Sequence, residues 1–242
     1  MRIEFLGTSH GVPSAIRYCN CIMLECGGRR YLFDVGAPAA DIMTRKEYPF
    51  SSLRAVFITH LHGDHIGGLP ALVDLSNWYY RDSAYSVFLP EESGVRLLED
   101  YLRITGSPAL RREITLSVFG EGEVYRDANI TVRAVKTAHT TNLLSYGFFV
   151  EAEGKQIYFS GDMCPDLHDF PPFLYEAELD LLVTELAHFS VDALWKKLTK
   201  CKAKRICLNH VFPVEKIEEA LARRAEINGD LFAACDNDSI LL

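Results

Sequence analysis

Apolar residues in this chain come in short runs, each closed by glycine, by a turn-forming residue or by a residue bearing a donor atom. Ile3 to Leu6, Ile22 to Glu25, Tyr31 to Val35 and Ala55 to Thr59 are too short for buried helices and read as strands, with Gly27-Gly28 turning the second into the third. Further strands are predicted at Val87 to Leu89, Ile114 to Val118, Ile130 to Thr137, Tyr146 to Glu151, Gln156 to Phe159, Leu181 to Thr184, Ile206 to Leu208 and Leu231 to Ala234. Helical spacing shows between them. Val191, Leu194, Trp195 and Leu198 fall at i, i+3, i+4 and i+7, which puts one apolar face on a helix over Val191 to Thr199, and Ser190 is placed to cap it. Other helices are predicted at Pro38 to Arg45, from Pro70 to about Tyr80, at Gly94 to Ile104 and at Val214 to Ala225.

Each half of the chain thus gives several strands followed by helices, without a clear internal repeat. Two sheets packed face to face, with helices outside, satisfy that order. The fold class expected is an α/β four-layer αββα sandwich, formed by one domain over 1–242. No Pro-, Gly- or Ser-rich stretch is long enough to link two domains. The 242 residues, 48% of them hydrophobic, suffice for one large core.

Charge and cysteine content narrow the function. A net charge of −8 disfavours broad nucleic-acid binding, which depends on neutralising many phosphates. The one basic cluster, Lys196, Lys197, Lys200, Lys202, Lys204 and Arg205, reads as the solvated side of the helix around Trp195. Met1-Arg2 leads directly into a strand, and no apolar run nears the roughly 18 residues of a membrane span, so a cytoplasmic protein with no membrane partner is expected. Seven cysteines suggest free thiols; Cys19 and Cys21 are spaced too tightly for an ordinary zinc knuckle, and Cys164 reads as a small buried hydrophobe.

Candidate chemistry concentrates where strands end. Thr59-His60-Leu61-His62-Gly63-Asp64-His65 places three imidazoles and a carboxylate directly after an apolar run. His139, Asp162 and His210 follow later strands in the same way, as does Glu185, with His188 three residues on; six of the eight histidines obey this rule. Ligand sites in α/β sheets commonly lie at such strand ends. Histidine nitrogen and carboxylate oxygen are zinc donors, and a catalytic site keeps one position open for water. A metal-dependent hydrolase follows. His10 reads as a loop residue near the cleft mouth, and His168 as a surface loop residue. Trp78, Tyr79 and Tyr80 read as core or dimer contacts, with base stacking as the alternative.

His60-x-His62-x-Asp64-His65, followed by His139, Asp162 and His210, resembles the signature of the metallo-β-lactamase fold superfamily over nearly the whole chain. The resemblance implies one metal held by His60, His62 and His139, a second by Asp64, His65 and His210, and Asp162 bridging both. It implies two divalent cations, Zn2+ in the first place, with Mn2+ or Fe2+ suited to the same donors. Aspartate at 162, where many β-lactamases carry cysteine, argues against antibiotic hydrolysis. Phe5-Leu6-Gly7-Thr8 and Gly63 to Pro70 further resemble the phosphodiesterase branch of ribonuclease Z and cyclic-phosphate phosphodiesterases. Glu185 and His188 resemble a glutamate and a later histidine that assist catalysis in ribonuclease Z; a two-metal mechanism would have Asp64 orient the attacking water, His188 serve as general acid and Glu185 hold His188, with capping or packing the alternative role for His188.

Ribonuclease Z enzymes commonly insert a long tRNA-grasping arm, classically between the ligands matching His139 and Asp162, where this chain has only two predicted strands and a short connection. A small phosphodiester, cyclic phosphate or nucleotide is therefore the expected substrate, with RNA not favoured. The alternatives are a ribonuclease Z-like tRNA endonuclease, a thioesterase or lactonase of the same fold, and a nucleotide or metal sensor without turnover. A homodimer is compatible with the resemblance.

Overall fold

The computed structural model describes residues 1–242. Its strands are β1 (Arg2–Gly7), β2 (Cys21–Cys26), β3 (Arg29–Phe33), β4 (Leu53–Phe57), β5 (Tyr85–Leu89), β6 (Ile114–Val118), β7 (Gly122–Arg126), β8 (Ile130–Thr137), β9 (Ser145–Ala152), β10 (Lys155–Phe159), β11 (Leu181–Leu186), β12 (Arg205–Val211), β13 (Asp230–Ala233) and β14 (Ser239–Leu241). The helices are α1 (Ala39–Arg45), α2 (Gly63–Ile66), α3 (Leu69–Trp78), α4 (Glu92–Ile104), α5 (Val191–Leu198) and α6 (Lys216–Ala222).

Two seven-stranded mixed sheets result, in the orders β14-β1-β2-β3-β4-β5-β6 and β13-β12-β11-β10-β9-β8-β7. Side chains alternate across each strand, and here both faces are covered. Ile22 and Leu24 of β2, Tyr31 and Phe33 of β3, and Ile157 and Phe159 of β10 point between the sheets. Their neighbours Met23 and Leu32 face the layer of α1, α3 and α4. Tyr158 faces the opposite layer, which includes α5 and α6. That double covering explains why the strands read as unbroken apolar runs instead of alternating ones. Between the sheets Phe33 packs on Phe159 with ring centroids 4.5 Å apart and on Phe57 at 5.1 Å, distances typical of aromatic pairing.

The expected four-layer arrangement is present, with some differences. The edge strands β7 and β14 were not predicted, because Gly122-Glu123-Val124-Tyr125-Arg126 is polar and Ser239–Leu241 spans three residues. The predicted helix at Val214 to Ala225 is shorter, running over Lys216–Ala222 and followed by a 3-10 turn at Arg224–Glu226. A four-residue helix, α2, sits inside the histidine run. Ser190 caps α5 as expected, accepting the Ala193 N–H at 3.2 Å. No helix is long and apolar enough to cross a membrane.

Candidate metal centre

The loops after β4, β8 and β10, together with the ends of β11 and β12, open at one edge of the sandwich. β4 delivers His60, and α2 then folds Asp64 and His65 back over the strand end. That approach is close enough that a Cβ on Gly36 would collide with the Asp64 carbonyl. After β10 the chain turns at Gly161, which has φ of +57° and no room for a side chain against the Tyr146 carbonyl. Asp162 is thereby aimed inward. In β12 the register against β11 shifts between Thr184 and Leu186, and His210 takes a left-handed φ of 49° while its N–H donates to the Thr8 carbonyl at 3.1 Å. This irregularity turns the His210 ring toward Asp64.

The candidate donors named from the sequence come together in this way. His62 Nδ1 lies 2.9 Å from His60 Nε2 and 3.2 Å from His139 Nε2. His210 Nε2 lies 3.2 Å from His65 Nε2 and 3.1 Å from Asp64 Oδ2. Asp162 Oδ2 stands between the two groups, 3.7 Å from His60 and His139 and 3.5 Å from His65. The donor atoms of His60, His62, His139 and Asp162 lie within 4.8 Å of one another, and so do those of Asp64, His65 and His210. A single proton cannot satisfy the two nitrogens facing His62 Nδ1, and His139 Nδ1 is buried without a partner. Lone pairs crowded in excess of protons suit divalent cations, so the donor set fits metal binding.

Electrostatics point the same way. Burial holds His60 well below the usual imidazole range, with the neighbouring His65 adding to the effect, and burial likewise lowers His139. Both rings thus stay neutral, the form that binds a metal. Burial also works against charge on Asp64 and Asp162, yet the surrounding imidazoles override it and hold both carboxyls below the ordinary carboxylate range. His65 moves upward: burial opposes its protonation, but Asp162 and Asp34 outweigh burial.

Asp34 was missed in the sequence, although it obeys the same positional rule, directly following β3. Its Oδ2 lies 2.7 Å from His65 Nδ1, and its Oδ1 accepts the Thr59 N–H at 2.8 Å. A carboxylate on one ring nitrogen fixes the tautomer and presents the other nitrogen to the site.

Glu185 and His188 form a pair beside this cluster. Glu185 Oε2 lies 2.8 Å from His188 Nδ1 and accepts the N–H groups of Ala187 and His188, while Oε1 accepts the Met163 N–H at 2.7 Å. His188 Nε2 faces Asp162 Oδ2 at 3.8 Å. Burial disfavours the His188 cation, but Glu185 outweighs it and raises the ring above its ordinary value. Lys216 was also missed: its Nζ donates to the carbonyls of Leu186, Ala187 and Phe189 at 3.2, 3.0 and 2.7 Å, gripping the loop that carries His188.

Other expectations separate. His10 stacks on exposed Phe212 at 3.9 Å, with its ring 6.1 Å from that of His210, at the mouth of the site. Cys21 is buried in the apolar layer and joins no donor group with Cys19. Tyr80 stacks on Phe50 at 3.7 Å, whereas Trp78 and Tyr79 are exposed at the far end of α3, roughly 15 Å of helix beyond the metal motif. That position does not suit base stacking in the site. Cys164 and His168, read from sequence as separate and bland, lie side by side.

Comparison with known proteins agrees with this geometry. The family model for anti-Pycsar protein Apyc1 matches residues 1–225. Ribonuclease Z of Natronomonas pharaonis is 35% identical over 156 residues, covering 64% of this chain and 49% of that protein. Ribonuclease Z of Methanosarcina mazei is 30% identical over 146 residues, covering 60% and 47%. The chain spans about half the length of these curated relatives. Among solved structures, the metallo-β-lactamase fold protein YhfI of Bacillus subtilis superposes with a TM-score of 0.79 at 17% identity, over 99% of both chains. The short form of human tRNase Z gives 0.76 at 20% identity, over 100% of this chain and 99% of the other. A diphosphatase from the PhnP family gives 0.72 at 17%, over 100% and 97%. The fold is that of the metallo-β-lactamases.

Proposed function

This chain belongs to the anti-Pycsar protein Apyc1 family, and on that premise we propose that it is a metal-dependent phosphodiesterase acting on a small phosphodiester, a cyclic phosphate or nucleotide in the first place. The observation that carries the reading is the convergence of two donor groups on Asp162, with the His188–Glu185 pair facing the same carboxylate.

His60, His62 and His139 would hold one cation, Asp64, His65 and His210 the other, and Asp162 both. Zinc suits these donors best. Bound there, two divalent cations activate water and neutralise the charge that builds on phosphoryl oxygens. Asp64, at the open side of its group, orients the attacking water. His188 presents Nε2 inward because Glu185 occupies Nδ1, and so can protonate the departing oxygen; general acids of this kind contribute about 10² to 10⁴ in rate. Protonation matters most for an alkoxide leaving group, such as a ribose hydroxyl.

Two features favour a small substrate. The residues between His139 and Asp162 form β9 and β10 with a short connection, leaving no long arm at that place for grasping tRNA. A groove of about 640 Å³, lined by Val12, Ile16, Arg17, Phe212 and Val214 among others, adjoins the site at Phe212, and its volume is that of a typical small-molecule pocket.

The test is a substrate panel with metal-loaded protein: bis-p-nitrophenyl phosphate, cyclic nucleotides, a precursor tRNA, a thioester and a lactone. Cleavage of the phosphodiesters, with cyclic nucleotides preferred to precursor tRNA, is expected. Rapid thioester turnover without phosphodiester cleavage overturns the reading.

A further inference from the structure

The segment Cys164-Pro165-Asp166-Leu167-His168-Asp169 curls around one sulfur atom. Cys164 Sγ lies 2.9 Å from Asp166 Oδ1, 2.8 Å from Asp169 Oδ1 and 3.1 Å from His168 Nδ1. The donor atoms of Cys164, Asp166 and His168 all lie within 4.8 Å of one another. One thiol proton can serve only one of these three neighbours. The distances are also short for thiol hydrogen bonds in this protein: Cys19, Cys26, Cys201 and Cys207 make theirs over 3.3 to 3.8 Å. The same crowding of lone pairs marks the His60–His210 cluster, so the two places share a signature.

Charge strengthens the comparison. Two carboxylates meet a thiol here, and neither has a lysine or arginine partner; the one basic side chain paired with them is His168, 2.7 Å from Asp166. Asp169 Oδ2 is already committed, accepting the N–H groups of Ala138 at 2.7 Å and Cys164 at 3.0 Å, which leaves Oδ1 directed at the sulfur. Cys164 is 4% exposed, whereas Asp166 and His168 are open to solvent, so a buried sulfur lies beneath donors that an ion can reach.

We propose that Cys164, Asp166, His168 and Asp169 form a separate zinc site, structural in role, that fastens the loop after Asp162 to the segment before His139. One sulfur, one imidazole and two carboxylate oxygens match the donor preferences of zinc, with Zn–S near 2.3 Å and Zn–N or Zn–O near 2.0 to 2.2 Å. The donors of Cys164, Asp166 and His168, 2.7 to 3.1 Å apart, would need to open by roughly half an ångström to reach those lengths, while Asp169, held to the sulfur through Oδ1, would close on the ion from outside that group. Binding forms a Zn–S bond as the thiol proton leaves to solvent. Asp169 then spans the ion through Oδ1 and the 138 and 164 amides through Oδ2.

The centre around His60 contains nitrogen and oxygen donors alone, so a sulfur-specific signal isolates the new site. The full chain is loaded with Co2+ and its near-ultraviolet spectrum recorded, with total metal counted by elemental analysis on the zinc form. A thiolate-to-cobalt charge-transfer band is expected, lost in Cys164→Ser together with about one zinc equivalent per chain. His168→Ala, at an exposed position that tolerates truncation, should weaken the band several-fold in protein whose circular dichroism is unchanged. A band absent from the parent protein, a band retained in both variants, or equal zinc content in all three overturns the proposal.

Discussion

His188 and Asp127 show how single side chains draw their properties from their neighbours. His188→Ala removes a proton donor without removing any of the seven donors assigned to the cations, so metal content should hold while turnover of a substrate with a poor leaving group falls by about 10² or more. A p-nitrophenolate leaving group, which needs little protonation, should lose much less; equal losses on both substrates would count against the general-acid role. Asp127 sits far from that chemistry, in the turn between β7 and β8. Burial disfavours its charge, but the Tyr31 hydroxyl at 2.7 Å, the Ile130 and Asn129 amides and the Tyr125 hydroxyl at 2.9 Å outweigh burial and lower its pKa below 3.8. A carboxyl depressed in the folded state stabilises at pH values above its unfolded pKa and ceases to do so as pH falls through the folded one. Asp127→Asn should therefore cost about 0.5 to 1.5 kcal/mol at pH 7, solvent screening of this half-exposed carboxylate holding the figure down, and the gap to the parent protein should narrow below pH ~4 in denaturant titrations.

At the scale of elements, the loop between β11 and α5 is held from two directions. Glu185 takes its amide hydrogens and Lys216, at the start of α6, takes its carbonyls. Lys216→Met keeps the stem and deletes the ammonium, so kcat is expected to fall about tenfold with KM little changed, and the loss should vanish in a His188→Ala background. Additive losses would mean that Lys216 acts elsewhere. Much of this layout is legible in the sequence. Ala55 to Thr59 is apolar throughout because both faces of β4 are covered, and each donor can be found because it follows such a run. The edge strand β7 is hidden by its solvated face, α2 by its brevity within the histidine run, and Lys216 by its place at the start of a helix whose own pattern reads as surface. Cys164 and His168 looked unrelated because their meeting depends on the backbone at Leu167, a buried residue with a left-handed φ of 56°, which no periodicity reports.

For the whole molecule, the donors come from the segments following β4, β8 and β10 and from β12 itself, in both sheets, so cations bound at this edge would join the two halves of the sandwich. Stripping metal with a chelator should lower the midpoint of thermal unfolding by roughly 5 to 10 °C, since a ligand at a hundred times its Kd adds about 2.7 kcal/mol. An unchanged midpoint would show that the sheets pack as tightly without the ions. The first sheet has another long-range dependence. β1 pairs on one side with β2 and on the other with β14, Arg2 opposite Leu241. During synthesis the outer edge of β1 therefore leaves the ribosome well before β14, and its partner exists only once everything between the two strands has been made. An unpaired edge of that kind templates intermolecular pairing, so deleting β14 should shift the product from a single sedimenting species toward insoluble aggregate, and chaperone capture of nascent chains should persist until β14 has emerged.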